Sequence, residues 1–237
     1  MATHYKRVLL KLSGEGLAGE RGYGIDTDVL SSVAEDIKEI HSAGVQVGIV
    51  VGGGNIFRGV AGSSMGVTDR TAGDTIGMLA TLMNSLMIQQ ALKALDIDAR
   101  VLSAFKVEKA CEFFIRDKAI NHLNNNRVVI VAGGTGNPFF TTDSAAALRA
   151  AELECDVLFK ATQVDGVYDK DPKKYPDAVK FETITPALAI EKGLKVMDTS
   201  AFALCMDNNI PILVFELLQK GNLLKAINGE NVGTVVS

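Results

Sequence analysis

Short runs of Val, Ile and Leu alternate with helical patterns along the whole chain. Residues 7–12, 45–51, 99–102, 127–132, 156–160 and 212–215 read as strands. They lack strict alternation of apolar and polar positions, the pattern of strands buried on both faces of a parallel sheet. Between the first two, Asp26 stands where a helix cap is needed, ahead of an apolar stripe of Val29, Val33, Ile37 and Ile40. A second helix, over 69–95, carries Ile76, Met78, Leu79, Leu82, Met83, Leu86 and Ile88. These cover most of its circumference, so it must be buried on more than one side. Further helices are predicted over 142–154 and 198–208. The segment 163–185 has turns at Asp165-Gly166, Asp171-Pro172 and Tyr175-Pro176, which predicts a β-hairpin excursion. No Ser- or Pro-rich linker and no fixed-period repeat divides the chain. The expected fold class is α/β: a three-layer αβα sandwich around a mostly parallel central sheet. It forms one domain over 1–237, with an N-terminal lobe to about 137 and a C-terminal lobe from about 138.

Composition narrows the function classes. A chain of 237 residues, 47% hydrophobic and 22% charged, has the size and make-up of a globular protein with a full core. The balance of 24 Lys+Arg against 28 Asp+Glu, a net charge of −4, argues against a dedicated nucleic-acid binder. Cys111, Cys155 and Cys205 are odd in number, widely spaced and form no C-x-x-C pair. Neither a disulfide framework nor a zinc knuckle is expected. No apolar run approaches the ~20 residues of a membrane span. The first residues lack the apolar stretch of a signal peptide, so the expected location is the cytoplasm.

Glycine-rich turns follow three of the strands. Lys11-Leu12-Ser13-Gly14-Glu15-Gly16 ends the first, Gly52-Gly53-Gly54-Asn55 the second, and Gly133-Gly134-Thr135-Gly136-Asn137 the fourth. Ligands of an open parallel sheet sit beyond the carboxyl ends of its strands. Singly, each turn needs only glycine's freedom to bend. Together they can aim many backbone N–H groups at one anion, which points to phosphate binding. Two motif matches are set aside. Gly14-x-Gly16-x-x-Gly19 fits the dinucleotide fingerprint, but its third glycine is expected to open a helix, and residues 20–24 intervene. Gly62-Ser63-Ser64-Met65-Gly66 fits a nucleophile elbow with no strand before it.

Charged groups flank these turns. Lys11 falls late in an apolar strand, either as an edge-strand lysine reaching solvent or as a cation at the sheet's mouth. Arg58 follows the second glycine turn closely enough to reach back to an anion. Asp143 reads either as a helix cap or as a site acid, and Asp74 as an acid early in its helix. Phe139-Phe140 suits the core or stacking on a base. Two cations and an aspartate around glycine turns match the needs of phosphoryl transfer, which are positioning and charge neutralisation.

Taken together, these blocks resemble the uridylate kinase branch of the amino acid kinase family. The resemblance rests on Lys11-Leu12-Ser13-Gly14-Glu15 and on Gly52-Gly53-Gly54-Asn55-Ile56-Phe57-Arg58-Gly59. It continues through Thr135-Gly136-Asn137-Pro138-Phe139-Phe140-Thr141-Thr142-Asp143-Ser144, Lys160-Ala161-Thr162-x-Val164-Asp165-Gly166-Val167-Tyr168 and Lys195-Val196-Met197-Asp198. It covers essentially the whole chain in order.

The resemblance implies transfer of the ATP γ-phosphate to UMP with Mg²⁺, giving UDP and ADP in pyrimidine nucleotide biosynthesis. It implies a UMP side of Gly53, Asp74, Thr135, Gly136, Asn137, Pro138, Phe139, Phe140, Thr141 and Thr142. The ATP side would be Lys11, Leu12, Ser13, Gly14, Gly54, Arg58, Thr162, Tyr168 and Asp171. Lys11, Arg58, Asp143 and Asp198 are the candidate catalytic set; no metal-ligating residue is singled out. A homohexamer activated by GTP and inhibited by UTP is also implied. Gly19, Glu20, Arg21, Gly22, Tyr23 and Gly24 stand where an activator-responsive loop falls. Other readings remain open at this point: a kinase of the same fold acting on another small acceptor, a non-enzymatic nucleotide sensor, or an NAD-dependent oxidoreductase.

Overall fold

The computed structural model describes residues 3–57, 69–194, 196–217 and 219–237. In chain order the elements are β1 (Arg7–Leu12), α1 (Gly14–Leu17), α2 (Thr27–Ser42), β2 (Gln46–Val51), α3 (Arg70–Ala94), β3 (Ala99–Ser103) and β4 (Glu112–Phe113). There follow α4 (Arg116–Asn124), β5 (Val128–Ala132), α5 (Thr142–Glu152), β6 (Val157–Thr162), β7 (Thr183–Ile184), α6 (Pro186–Glu191), α7 (Thr199–Asp207), β8 (Ile212–Glu216), α8 (Asn222–Ile227) and β9 (Gly233–Val236). The nine strands form one sheet in the order β4-β3-β5-β2-β1-β6-β8-β9-β7. Every pairing is parallel except that of β8 with β9. The expected αβα sandwich is thus present.

Alternate residues of each central strand enter two separate cores, because side chains on a strand alternate faces. Val8, Leu10 and Leu12 of β1, with Phe159 and Phe215, pack under α2, α3 and α8. Leu9 of β1, Val129 and Val131 of β5 and Leu158 of β6 pack under α4, α5 and α7. Burial on both faces explains why the strands read as continuous apolar runs.

Asp26 caps α2 as expected, accepting from the Asp28 and Val29 N–H groups at 2.9 and 3.3 Å. Asp69 caps α3 in the same way. Five elements escaped the pattern: β4, β7 and β9 are short, and α6 and α8 are single-turn helices of six residues each. The weakly amphipathic α4 was also not foreseen. A helix opens directly after β1, at Gly14, earlier than the fingerprint argument assumed. The excursion over 163–185 is no regular hairpin. Its arms meet at one antiparallel bridge, Tyr168 with Lys180, because Pro172 and Pro176 withhold ladder donors.

Candidate functional site

β5, β2, β1 and β6 lie side by side and parallel, so their carboxyl ends share one edge of the sheet. β1 is central, and Lys11 is therefore not the edge-strand lysine that one reading allowed. Strand alternation puts Leu9 and Lys11 of β1, and Leu158 and Lys160 of β6, on the face covered by α5. Lys11 and Lys160 are register partners on adjacent strands. Asp143, in the first turn of α5, lies between them. Its Oδ1 is 2.9 Å from Lys11 Nζ and its Oδ2 is 2.7 Å from Lys160 Nζ. The Lys11 contact is an ion pair without hydrogen-bond alignment. Lys160 Nζ also donates to Val196 O.

The three side chains are largely withdrawn from water, at 12%, 17% and 12% exposure for Lys11, Asp143 and Lys160. Burial alone would raise the Asp143 pKa, but the two ammonium groups outweigh it and hold the carboxyl below its ordinary value. Burial pushes Lys160 down; Asp143 opposes that shift and Lys11 adds to it. Two cations share one carboxylate, and the nearby Asp198 charge also acts on Lys160.

Asp143 is not the cap of α5. Thr141 is: its Oγ1 accepts from the Asp143 and Ser144 N–H groups at 3.0 and 3.2 Å and donates to Asp198. The cap thereby leaves the Asp143 carboxylate to the lysines. Asp198 caps α7, accepting from Ala201 N–H at 2.8 Å, and also takes the Ser144 and Ser200 hydroxyls. Burial raises its pKa, but these hydrogen bonds more than reverse that. Asp198 therefore ties the N-termini of α5 and α7 together and makes no direct contact with either lysine.

A cavity opens on each side of this centre. Toward β2 and β5, one of about 480 Å³ is lined by Gly53, Gly54, Asp74, Thr135, Asn137, Phe140, Thr141 and Thr142, among others. Gly53 must be glycine here, because a Cβ would sit 2.7 Å from the Gly77 carbonyl oxygen of α3. Asp74 accepts from the Phe139 N–H at 2.8 Å, and the Arg70 guanidinium lies over the Phe139 ring at 5.0 Å. Phe139 and Phe140 are 60% and 54% exposed, so they are not core residues. Gly136, Pro138 and Phe139 lie on the same loop but do not line the cavity.

Toward β6, a cavity of about 610 Å³ is lined by Lys160, Thr162, Tyr168 and Asp171, with Lys170, Lys174 and Lys192. Four lysines line it against two acids, Asp169 and Asp171, an excess of positive charge that favours an anionic ligand. Tyr168 donates its hydroxyl to Asp165 at 2.7 Å, and Thr162 donates to Val164 O at 2.6 Å. Asp171 accepts from the Lys173 N–H at 3.0 Å and so shapes its own turn. Leu12, Ser13 and Gly14 lie at the end of β1, lining neither cavity.

Gly19, Glu20 and Arg21 form a 3-10 turn, followed by Gly22, Tyr23 and Gly24; all three glycines have positive φ. Arg21 pairs with Asp26 at 3.7 Å, and Gly24 N–H donates to Asn55 O at 2.9 Å. Arg58, Gly59, the Gly62–Gly66 match and Lys195 lie outside the described residues.

Lys160 stands in one of the motif blocks without a role of its own there, although a lysine inside an apolar strand is the same signal that singles out Lys11. Arg149 carried no such signal. It is buried on α5, donates to Gly134 O at 3.2 Å and stacks over Phe114 at 4.2 Å. Among the described residues no group of three or more His, Cys, Asp or Glu is placed to hold a metal ion. No helix among them is long and apolar enough to cross a membrane.

Solved structures of similar shape fit this arrangement. The crystal structure of a UMP kinase from Bacillus anthracis has a TM-score of 0.95 at 38% identity, over 98% of this chain and 96% of that one. A UMP kinase from Ureaplasma parvum has a TM-score of 0.93 at 39% identity, over 98% of each chain. A uridylate kinase from Archaeoglobus fulgidus has a TM-score of 0.74 at 31% identity, over 97% of this chain and 99% of that one. The family model described as the amino acid kinase family matches residues 6–216. With its parallel sheet, its glycine loops on one edge and this match over most of its length, the chain belongs to the amino acid kinase family.

Proposed function

We propose that the chain is a UMP kinase, transferring the γ-phosphoryl group of ATP to the phosphate of UMP to give UDP and ADP. The observation that carries this reading is the Lys11–Asp143–Lys160 centre set between two cavities. ATP enters the lysine-lined cavity beside β6. UMP enters the smaller one, with Asp74 facing its ribose hydroxyls and the loop from Thr135 to Thr142 around it. Two of the similar solved structures carry the name UMP kinase and the third uridylate kinase, which supports uridine over other acceptors.

The reaction joins two polyanions, and its transition state spreads charge over the γ-phosphoryl oxygens. Lys11, held by Asp143, supplies a fixed positive charge there, with Lys160 beside it; Arg58, four residues after Gly54 in the sequence, is the further candidate cation. Asp143 orients the lysines and accepts no proton. The UMP phosphate is already ionised at neutral pH, so no general base is needed. The Asp143 carboxylate is engaged by two lysines, and among the described residues no group of three or more His, Cys, Asp or Glu is placed to hold a metal ion. Mg²⁺ would arrive with the ATP phosphates and would supply charge neutralisation there.

Regulation and assembly belong to the same reading. UTP inhibits by occupying the UMP cavity with its uridine, and GTP activates from a separate site between subunits, read through the loop from Gly19 to Gly24. The protein is a cytoplasmic homohexamer. An exposed stripe on α3, Ile76, Leu79, Met83 and Met87, is the face for a second copy. The test is a panel of nucleoside monophosphates and small carboxylate or carbamate acceptors with Mg-ATP, read as ADP release. UMP is expected to give the highest kcat/KM, and preference for another acceptor refutes the assignment.

A further inference from the structure

Two buried side-chain amides lie behind the second glycine loop. Asn84 of α3 is fully buried, and Asn55 is 1% exposed. Asn84 Nδ2 donates to Gly52 O at 2.7 Å and to Asn55 Oδ1 at 2.7 Å. Asn55 Nδ2 donates to Gly24 O at 2.7 Å and to Asn84 Oδ1 at 3.1 Å. A carboxamide has two N–H donors, so all four donors of the pair are used. Any other arrangement strands a polar group in a dry place, and the pair therefore specifies one geometry.

That geometry reaches the cavity through the Gly52–Gly53 peptide. There is no cis peptide bond, and in a trans peptide the carbonyl and the following N–H point opposite ways in one plane. Pinning Gly52 O to Asn84 aims the Gly53 N–H away from the amide pair. This N–H has no acceptor among the described residues, and Gly53 lines the cavity of about 480 Å³. Asn55 also grips Gly24 by its backbone, through Gly24 N–H to Asn55 O at 2.9 Å. We propose that Asn84, acting with Asn55, is a positioning residue that holds the Gly53 N–H as a donor to the phosphate of the acceptor.

The inference rests on the phosphoryl-transfer reading, and its test separates the two. The acceptor panel is run first on the wild-type protein, and the monophosphate used fastest serves for all variants. A wrong acceptor assignment then appears in the wild type and leaves the comparison intact. Asn84→Ala is compared with Ile88→Ala, one turn further along α3, buried in the core and with no side-chain polar group to bond the loop. Both variants lose stability. Asn84→Ala is expected to lower kcat/KM for the acceptor by ~10², the scale for misplacing one donor to a transferring group, with KM for ATP within about twofold of wild type. Ile88→Ala is expected to keep both parameters near wild type. Asn84→Ser, whose Oγ stops one bond short of both acceptors, gives the same split if the alanine variant does not fold. An acceptor kcat/KM within threefold of wild type in a folded Asn84 variant overturns the proposal. So does an equal loss in Ile88→Ala.

Discussion

Lys11, Asp143 and Lys160 form a small charge network whose balance is uneven, and its two lysines are not interchangeable with neutral side chains. Replacing Lys11 with Met removes the cation proposed to face the transferring group and leaves Asp143 with Lys160. Steady-state kinetics are expected to show kcat lower by ~10²–10³, the range for one transition-state donor, with an unchanged circular dichroism spectrum. A folded Lys11→Met protein with normal kcat removes Lys11 from the mechanism. The pH dependence has a definite sign. Asp143 is held below its ordinary 3.8, so the folded protein takes up its proton less readily than the unfolded chain. Its pairing stabilises the fold fully above about pH 4 and is lost as pH falls further. Denaturant midpoints of wild type and Asp143→Asn should therefore converge as pH falls below about 4. A gap that stays constant over that range contradicts the pairing.

At the scale of elements, α3 shows why an all-round apolar pattern is informative. Its inner face buries Leu82, Ile88 and Leu92 against the sheet. The opposite stripe, Ile76, Leu79, Met83 and Met87, is 37–56% exposed in the isolated chain. Contiguous apolar surface of this kind marks a protein interface. Met83→Glu puts a charge in the middle of the stripe. Light scattering is expected to show wild type well above 25.2 kDa and the variant reduced in mass. A wild-type monomer that is stable and active at micromolar concentration rules the interface out. In α5, capping by Thr141 rather than Asp143 follows from two residues of register. The sequence offered two Thr and one Asp in a row, and only the backbone conformation at Thr141, φ −87° and ψ 172°, selects among them.

The whole molecule places two cavities on one sheet edge, and this arrangement makes inhibition geometry testable. If UTP occupies the cavity of Gly53, Asp74 and Phe140, it competes with UMP, and its apparent inhibition constant should rise linearly with UMP concentration. Inhibition that persists undiminished at saturating UMP places UTP elsewhere.

Strand and helix positions over the central sheet were legible from residues alone, because buried parallel strands and amphipathic α2 write their burial directly into the apolar pattern. β1 was located to the residue, and the glycine turns marked the ligand-binding edge. The motif blocks carried the family. Short edge strands, single-turn helices and the irregular excursion over 163–185 left no such trace, since two to six residues set no period. The site's logic was also hidden. Nothing in the chain's order states that Lys11 and Lys160 become register partners, or that Asp143 sits between them. Asn84 and Asn55, 29 residues apart, read as ordinary polar positions until folding buried both. Local sequence decides which residues can face a sheet or cap a helix. Which distant charges and amides share one dry site depends on strand order and on the packing of α3 and α5, and only the tertiary structure decides that.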